Sequence, residues 1–109
     1  MPRNHDKRDD TLDVERLARM FRALSNPNRL RLFLNLLEES KLDLAKGRIH
    51  DCFLVKLLAG LELGAPTVSH HVKELADAGL IHTQREGKQL ICSVDPEGLA
   101  ELRASLVVP

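Results

Sequence analysis

The stretch APTVSHHVKELADAGLIHTQREGKQLICSV, residues 65–94, decides the fold, because a helix, its stop signal and a hairpin follow one another in it. From Pro66 the apolar residues Val68, Val72 and Leu75 recur at helical spacing, and Gly79 supplies the left-handed exit that commonly ends a helix. Leu80–Glu86 and Gln89–Val94 then read as two strands around Gly87-Lys88, the second alternating Leu90, Cys92 and Val94 against Gln89, Ile91 and Ser93. At about 100° per residue, His70, Lys73 and Asp77 point nearly opposite to Val68, Val72 and Leu75, with Thr67 and Ser69 flanking that polar face.

Upstream, Leu54, Leu57, Leu58 and Leu61 predict a helix over roughly Cys52–Leu61, capped by Asp51 and joined to the next through Glu62-Leu63-Gly64-Ala65. Two helices joined by a short glycine-containing turn make a helix-turn-helix. A polar helix face alone commonly marks only a solvated surface. Placed after such a turn and before a hairpin, this one reads as a recognition helix, whose N-terminal residues reach base edges in a major groove.

Nearer the start, Leu17, Met20, Phe21 and Leu24 predict a first amphipathic helix ending at Ser25. Ser25-Asn26-Pro27 supplies capping side chains and a first-turn proline for a second helix, about Pro27–Glu39, apolar on several sides and therefore central. Ser40–Asp51 reads as a loop ending in a short extended piece, with Leu42, Leu44 and Ile49 available to pin it. Asp95-Pro96 opens a last helix carrying Leu99, Leu102 and Leu106 on one side. The expected fold is thus mainly α with a small β-hairpin, a winged helix-turn-helix of order α-α-(β)-α-α-β-β-α. Residues 1–11 are expected to be a flexible polar tail, and 12–109 the DNA-binding and dimerisation domain.

A chain of 109 residues buries a modest core, so pairing with a second copy would add burial. No apolar run approaches the roughly 20 residues of a membrane span, and the charged start does not resemble a signal peptide, so the expected location is cytoplasmic. Sixteen basic and sixteen acidic residues cancel, yet Arg16, Arg19, Arg22, Arg29 and Arg31 precede Glu38, Glu39 and Asp43, so charge is patchy. With no Trp or Tyr and only three Phe, the chain lacks the aromatic platforms that stack single strands, and duplex DNA is the better partner. No phosphate-binding glycine loop or paired catalytic carboxylate motif is visible; Cys52 near His50 is the one start of a catalytic site, and the chain is not expected to be an enzyme.

FRALSNPNRLRLFLNLL, residues 21–37, together with residues 65–94, resembles the opening and reading-head segments of ArsR/SmtB-type repressors. The resemblance implies a homodimer built from the first and last helices, here through Leu17, Phe21, Leu99, Leu102 and Leu106. Such a dimer binds an imperfect palindromic operator and is released by an inducer, whose identity the sequence leaves open. It also implies base or phosphate contacts from Thr67, Ser69 and His70, a phosphate contact from Lys73, and wing contacts from Arg85 and Lys88. His71 lies nearer the core direction and is expected to be partly buried; Glu74 and Glu86 are expected to be solvated or ion-paired. The alternative is a winged-helix module that binds protein and not DNA.

Metal-sensing members carry a Cys-x-Cys-type motif at the start of the third helix, or Asp and His ligands with His and acidic partners on the last. Here the thiol positions fall on Phe53 and Val55, and Glu97 stands where an imidazole is needed, so no metal is expected at either site and no cofactor is implied. The Ser40–Asp51 connection is longer than the family usually has and brings His50, Asp51 and Cys52 together. If the segment before the third helix pairs with the second wing strand, Arg48–His50 would run beside Gln89–Val94 and Cys52 would approach Cys92. The two cysteines are then either small buried hydrophobes or a thiol site for a soft metalloid, a copper-like ion or an oxidant, completed by His50 or by a residue of the other subunit.

Overall fold

In the computed structural model, which describes residues 12–107, the element order is α1 (Val14–Leu24), α2 (Pro27–Ala45), β1 (Cys52–Phe53), α3 (Leu54–Leu57), α4 (Ala65–Asp77), β2 (Ile81–Glu86), β3 (Gln89–Val94) and α5 (Pro96–Ser105). The expected tail over residues 1–11 and the last two residues of the expected domain lie outside the described residues.

Local chemistry accounts for most boundaries. Asp13 caps α1 by accepting from the Arg16 amide, and Asn26 caps α2 by accepting from the amides of Asn28 and Arg29. Ser25 ends α1, its hydroxyl donating to the Arg22 carbonyl. Asp95 caps α5 through the amides of Glu97 and Gly98, at 3.0 and 3.1 Å. Caps of this kind stabilise a helix by about 1 kcal/mol each.

The helix α4 closes in a Schellman turn. Gly79, with φ +79°, donates to the Ala76 carbonyl while Leu80 donates to that of Leu75. The chain then enters the hairpin, in which β2 and β3 pair antiparallel from Ile81↔Val94 to Glu86↔Gln89. Gly87 has φ +62° and Lys88 a negative φ, which matches a type II′ turn.

Several corrections concern the middle of the chain. The helix α2 runs through Ser40 to Ala45. Ser40, taken as the start of a loop, is buried and donates its hydroxyl to the Leu36 carbonyl at 2.6 Å, which satisfies it inside a helix. The helix ends in a second Schellman turn, with Gly47 at φ +71° donating to Leu44 and Arg48 donating to Asp43. Leu42 and Ile49 do not pin this segment; both are exposed, and only Leu44 packs on the core.

Cys52 and Phe53 are strand, not the start of a helix, and α3 is one turn with no side-chain cap, so Asp51 does not cap it. The strand β1 pairs with β3 as Cys52↔Cys92 and Phe53↔Ile91, giving sheet order β1-β3-β2; Arg48–His50 stays outside the ladder. The central position of β3 explains why its alternation breaks down: Ile91 and Ser93 are buried along with Cys92 and Val94.

The core gathers Met20 from α1, Leu32, Phe33 and Leu36 from α2, Leu57 from α3, Val68, Val72 and Leu75 from α4, Leu80 from the turn after it, and Ile81, Cys92 and Val94 from the sheet. Each fully buried large aliphatic side chain stabilises the fold by about 1.5–3 kcal/mol. Asn35 of α2 donates to the carbonyls of Leu57 and Ala59, at 2.9 and 3.3 Å, which holds the short α3 and its turn against the central helix. The arrangement is a winged helix-turn-helix, with α3 and α4 as the two helices and β2–β3 as the wing.

Candidate nucleic-acid interface

The inner face of α4 is Val68, His71, Val72 and Leu75, all buried. Its outer face carries Thr67, Ser69, His70 and Lys73, all exposed, as the wheel of apolar positions implied. Gly64 caps α4 and offers no side-chain hydrogen bond to the amides of its first turn. Such a helix start suits an anion.

His71 is 4% exposed, and its Nδ1 accepts a hydrogen bond from Arg29 Nε at 3.2 Å. Arg29 also donates to the Ala23 carbonyl at 3.2 Å, so one side chain links α1, α2 and the inner face of α4. Burial first, then the neighbouring charge of Arg29, then His70, lower the His71 pKa below 6.5, which keeps the imidazole neutral and able to accept from Arg29. His70, one residue earlier, faces solvent, the two ring centroids 6.1 Å apart.

Lys73 is exposed but engaged: its ammonium lies 2.6 Å from Asp77 Oδ2, one helical turn away, and that hydrogen bond raises its pKa. Arg85 and Lys88 are exposed towards the tip of the hairpin, Arg85 opposite Leu90 and Lys88 in the turn itself. They are set apart from the helix face by the length of the wing. Of the early arginines, Arg19, Arg22 and Arg29 line one groove, while Arg16 is held elsewhere. Arg16 pairs with Glu101 at 2.9 Å, Arg29 holds His71, and Arg19 and Arg22 line a groove shared with Glu74 and Asp77.

Of the expected interface residues, Phe21 is 44% and Leu106 68% exposed, whereas Leu99 and Leu102 are half-buried against the core. Leu17 is 7% exposed and belongs to the core of its own chain. The two cysteines are brought together as cross-strand partners, both reduced and buried. Burial, followed by the neighbouring Cys52, pushes the Cys92 thiol up to about 11, and burial with the nearby Glu39 carboxylate raises that of Cys52. Neither is the low-pKa, accessible thiol that reacts readily with oxidants.

A winged helix-turn-helix with an exposed hydroxyl and imidazole face on its second helix is an arrangement suited to DNA binding. No protein-family profile matches the chain. A search of curated proteins finds an uncharacterised HTH-type transcriptional regulator of Methanocaldococcus jannaschii, 34% identical over 73 residues, 67% of this chain and 71% of the relative. Among solved structures, an ArsR family transcriptional regulator superposes with TM-score 0.66 at 23% identity, covering 86% of each chain. A homodimeric winged helix-turn-helix DNA-binding domain from Mycobacterium bovis, a possible ArsR-family regulator, superposes with TM-score 0.61 at 21% identity, over 97% of this chain and 86% of that one. The chain belongs to the HTH-type transcriptional regulators, and within them its fold is that of the ArsR family.

Proposed function

We propose that the chain binds duplex DNA as a homodimer, reads an imperfect palindromic operator through α4 and represses transcription from it. The observation that carries this reading is the division of α4 into a buried face and an exposed one. Val68, His71, Val72 and Leu75 fix the helix in the core while Thr67, Ser69, His70 and Lys73 stand in solvent. Rigid support for a hydrogen-bonding face is what readout of base edges requires.

In this reading Thr67, Ser69 and His70 contact bases or phosphates near the helix start, Lys73 contacts a phosphate, and Arg85 and Lys88 hold flanking backbone from the wing. Dimerisation through α1 and α5 would cover Phe21 and Leu106 and set two α4 helices on successive half-sites. The homodimeric M. bovis domain of the same fold supports that assembly. A module that binds only protein has no observation in its favour.

Selection from a random duplex pool with the full chain tests the proposal. Enrichment of a sequence with two inverted half-sites about one helical turn apart is expected; a pool that stays random through successive rounds contradicts it.

A further inference from the structure

Extension of α2 to Ala45 places Glu39 and Asp43 four residues apart on one side of the helix, and the Schellman turn at Gly47 sends the chain back along that side. One ligand atom from each of Glu39, His50 and Cys52 then lies within 4.8 Å of the others. His50 Nδ1 sits 2.9 Å from Asp43 Oδ2, and the other oxygen of Asp43 lies 3.6 Å from Arg48 Nε. A carboxylate on one imidazole nitrogen fixes the ring and leaves Nε2 as the ligating atom, the outer-shell arrangement seen behind most metal-bound histidines.

We propose that Glu39, His50 and Cys52 bind a borderline-soft divalent cation of the zinc class, with Asp43 as the residue that positions His50. One thiolate, one imidazole and one carboxylate form a donor set that zinc accepts, with water as the fourth ligand. Copper(I) and trivalent arsenic need more sulfur, and Cys92 is not among the three residues whose ligand atoms lie within 4.8 Å of one another. Bond lengths of about 2.0–2.3 Å place tetrahedral ligands roughly 3.5 Å apart, so the cluster must contract by about 1 Å. Glu39, exposed on its helix, and His50, in the loop, can make that adjustment while Cys52 stays fixed in β1.

Charge also favours a cation there. Burial first, and then the Glu39 carboxylate against the opposing charge of Lys56, raise the pKa of the Cys52 thiol, and a bound divalent ion would offset the carboxylate's part. On binding, the sulfur–metal bond forms as the thiol proton leaves to solvent, so affinity rises with pH. The site lies outside both thiol positions at Phe53 and Val55 and outside the last helix, and it uses the long connection as a ligand carrier.

The test is cobalt(II) titration of the reduced, metal-free full chain, followed by displacement with zinc(II). One cobalt per chain, with a near-ultraviolet sulfur-to-cobalt charge-transfer band bleached by zinc, is expected. Cys52→Ser removes that band and Cys92→Ser keeps it. Glu39→Gln and His50→Ala each weaken cobalt binding at least about tenfold, and Asp43→Asn weakens it by about 10- to 100-fold while keeping the band. No charge-transfer band in the wild type overturns the proposal, as does a band that survives Cys52→Ser. If the Cys52 variant does not fold, Glu39→Gln at its exposed position decides, and unchanged affinity there overturns the three-ligand site. Operator binding is not read in this titration, so its failure leaves the DNA-binding proposal standing.

Discussion

The Arg29 guanidinium donates to His71 Nδ1 at 3.2 Å, joining the central helix to the buried face of the helix that carries the candidate DNA contacts. Protonation of His71 would set a second positive charge against Arg29 in a site 4% exposed. Its folded pKa is lowered from 6.5, so the unfolded chain takes up the proton first. The contribution to stability is complete above about 6.5 and is lost as pH falls through the lowered folded value. Denaturant midpoints measured between about pH 8 and about pH 5 should fall on the acid side, and His71→Gln should flatten that slope. An identical slope in the variant would remove His71 as its source.

Gly98 lies in α5 against the turn that ends α4. A Cβ added there would run into the carbonyl oxygen of Gly79, and the obstacle is backbone, which cannot swing aside. Gly98→Ala should therefore destabilise the chain by about 1–3 kcal/mol through overpacking, although alanine is the better helix former. Urea unfolding of the two proteins measures this directly, and a stabilised variant would contradict the packing.

Much of this was legible in the sequence, and the exceptions have specific causes. Asn26-Pro27, Gly79, Gly87 and Asp95-Pro96 act where their backbone chemistry says they should. Ser40 misled because its turn propensity counts only while its hydroxyl lacks a local acceptor, and here the Leu36 carbonyl serves. The better stop signal for α2 was Gly47, seven residues on, which takes the left-handed position that its composition allows. Missing that end hid Glu39 from the cluster with His50 and Cys52. The leucines at 54, 57, 58 and 61 made a longer helix than forms, because periodicity cannot register the pairing of Cys52 with a strand forty residues later.

Lys73 is held by Asp77 within α4, so any phosphate must compete with that carboxylate for it. Asp77→Asn should release the ammonium and remove a negative charge from the candidate DNA face. Affinity for an arbitrary duplex at low salt should rise several-fold, with a steeper salt dependence. Unchanged affinity and slope, measured by fluorescence anisotropy, would take Lys73 out of the phosphate-contact set.

Phe21 on α1 and Leu106, the residue that caps the end of α5, are exposed apolar residues at the two helices assigned to dimerisation. Sedimentation velocity at micromolar concentration should show a dimer, and Phe21→Glu should give a folded monomer, since a charge at the centre of a paired apolar surface is costly while the same charge in solvent is not. A monomeric wild type, or a variant that remains fully dimeric, would contradict the assignment.

The central claim, that the exposed face of α4 reads sequence, is tested most directly by comparing binding to the selected operator and to a scrambled duplex at one salt concentration. Ser69→Ala and His70→Ala should each weaken operator binding roughly tenfold, equivalent to about 1.4 kcal/mol, and leave the scrambled duplex little changed. Lys88→Ala should weaken both duplexes alike and lower the salt slope by about 1. If folded, dimeric Ser69 and His70 variants keep the wild-type preference for the operator, α4 is not the reading element.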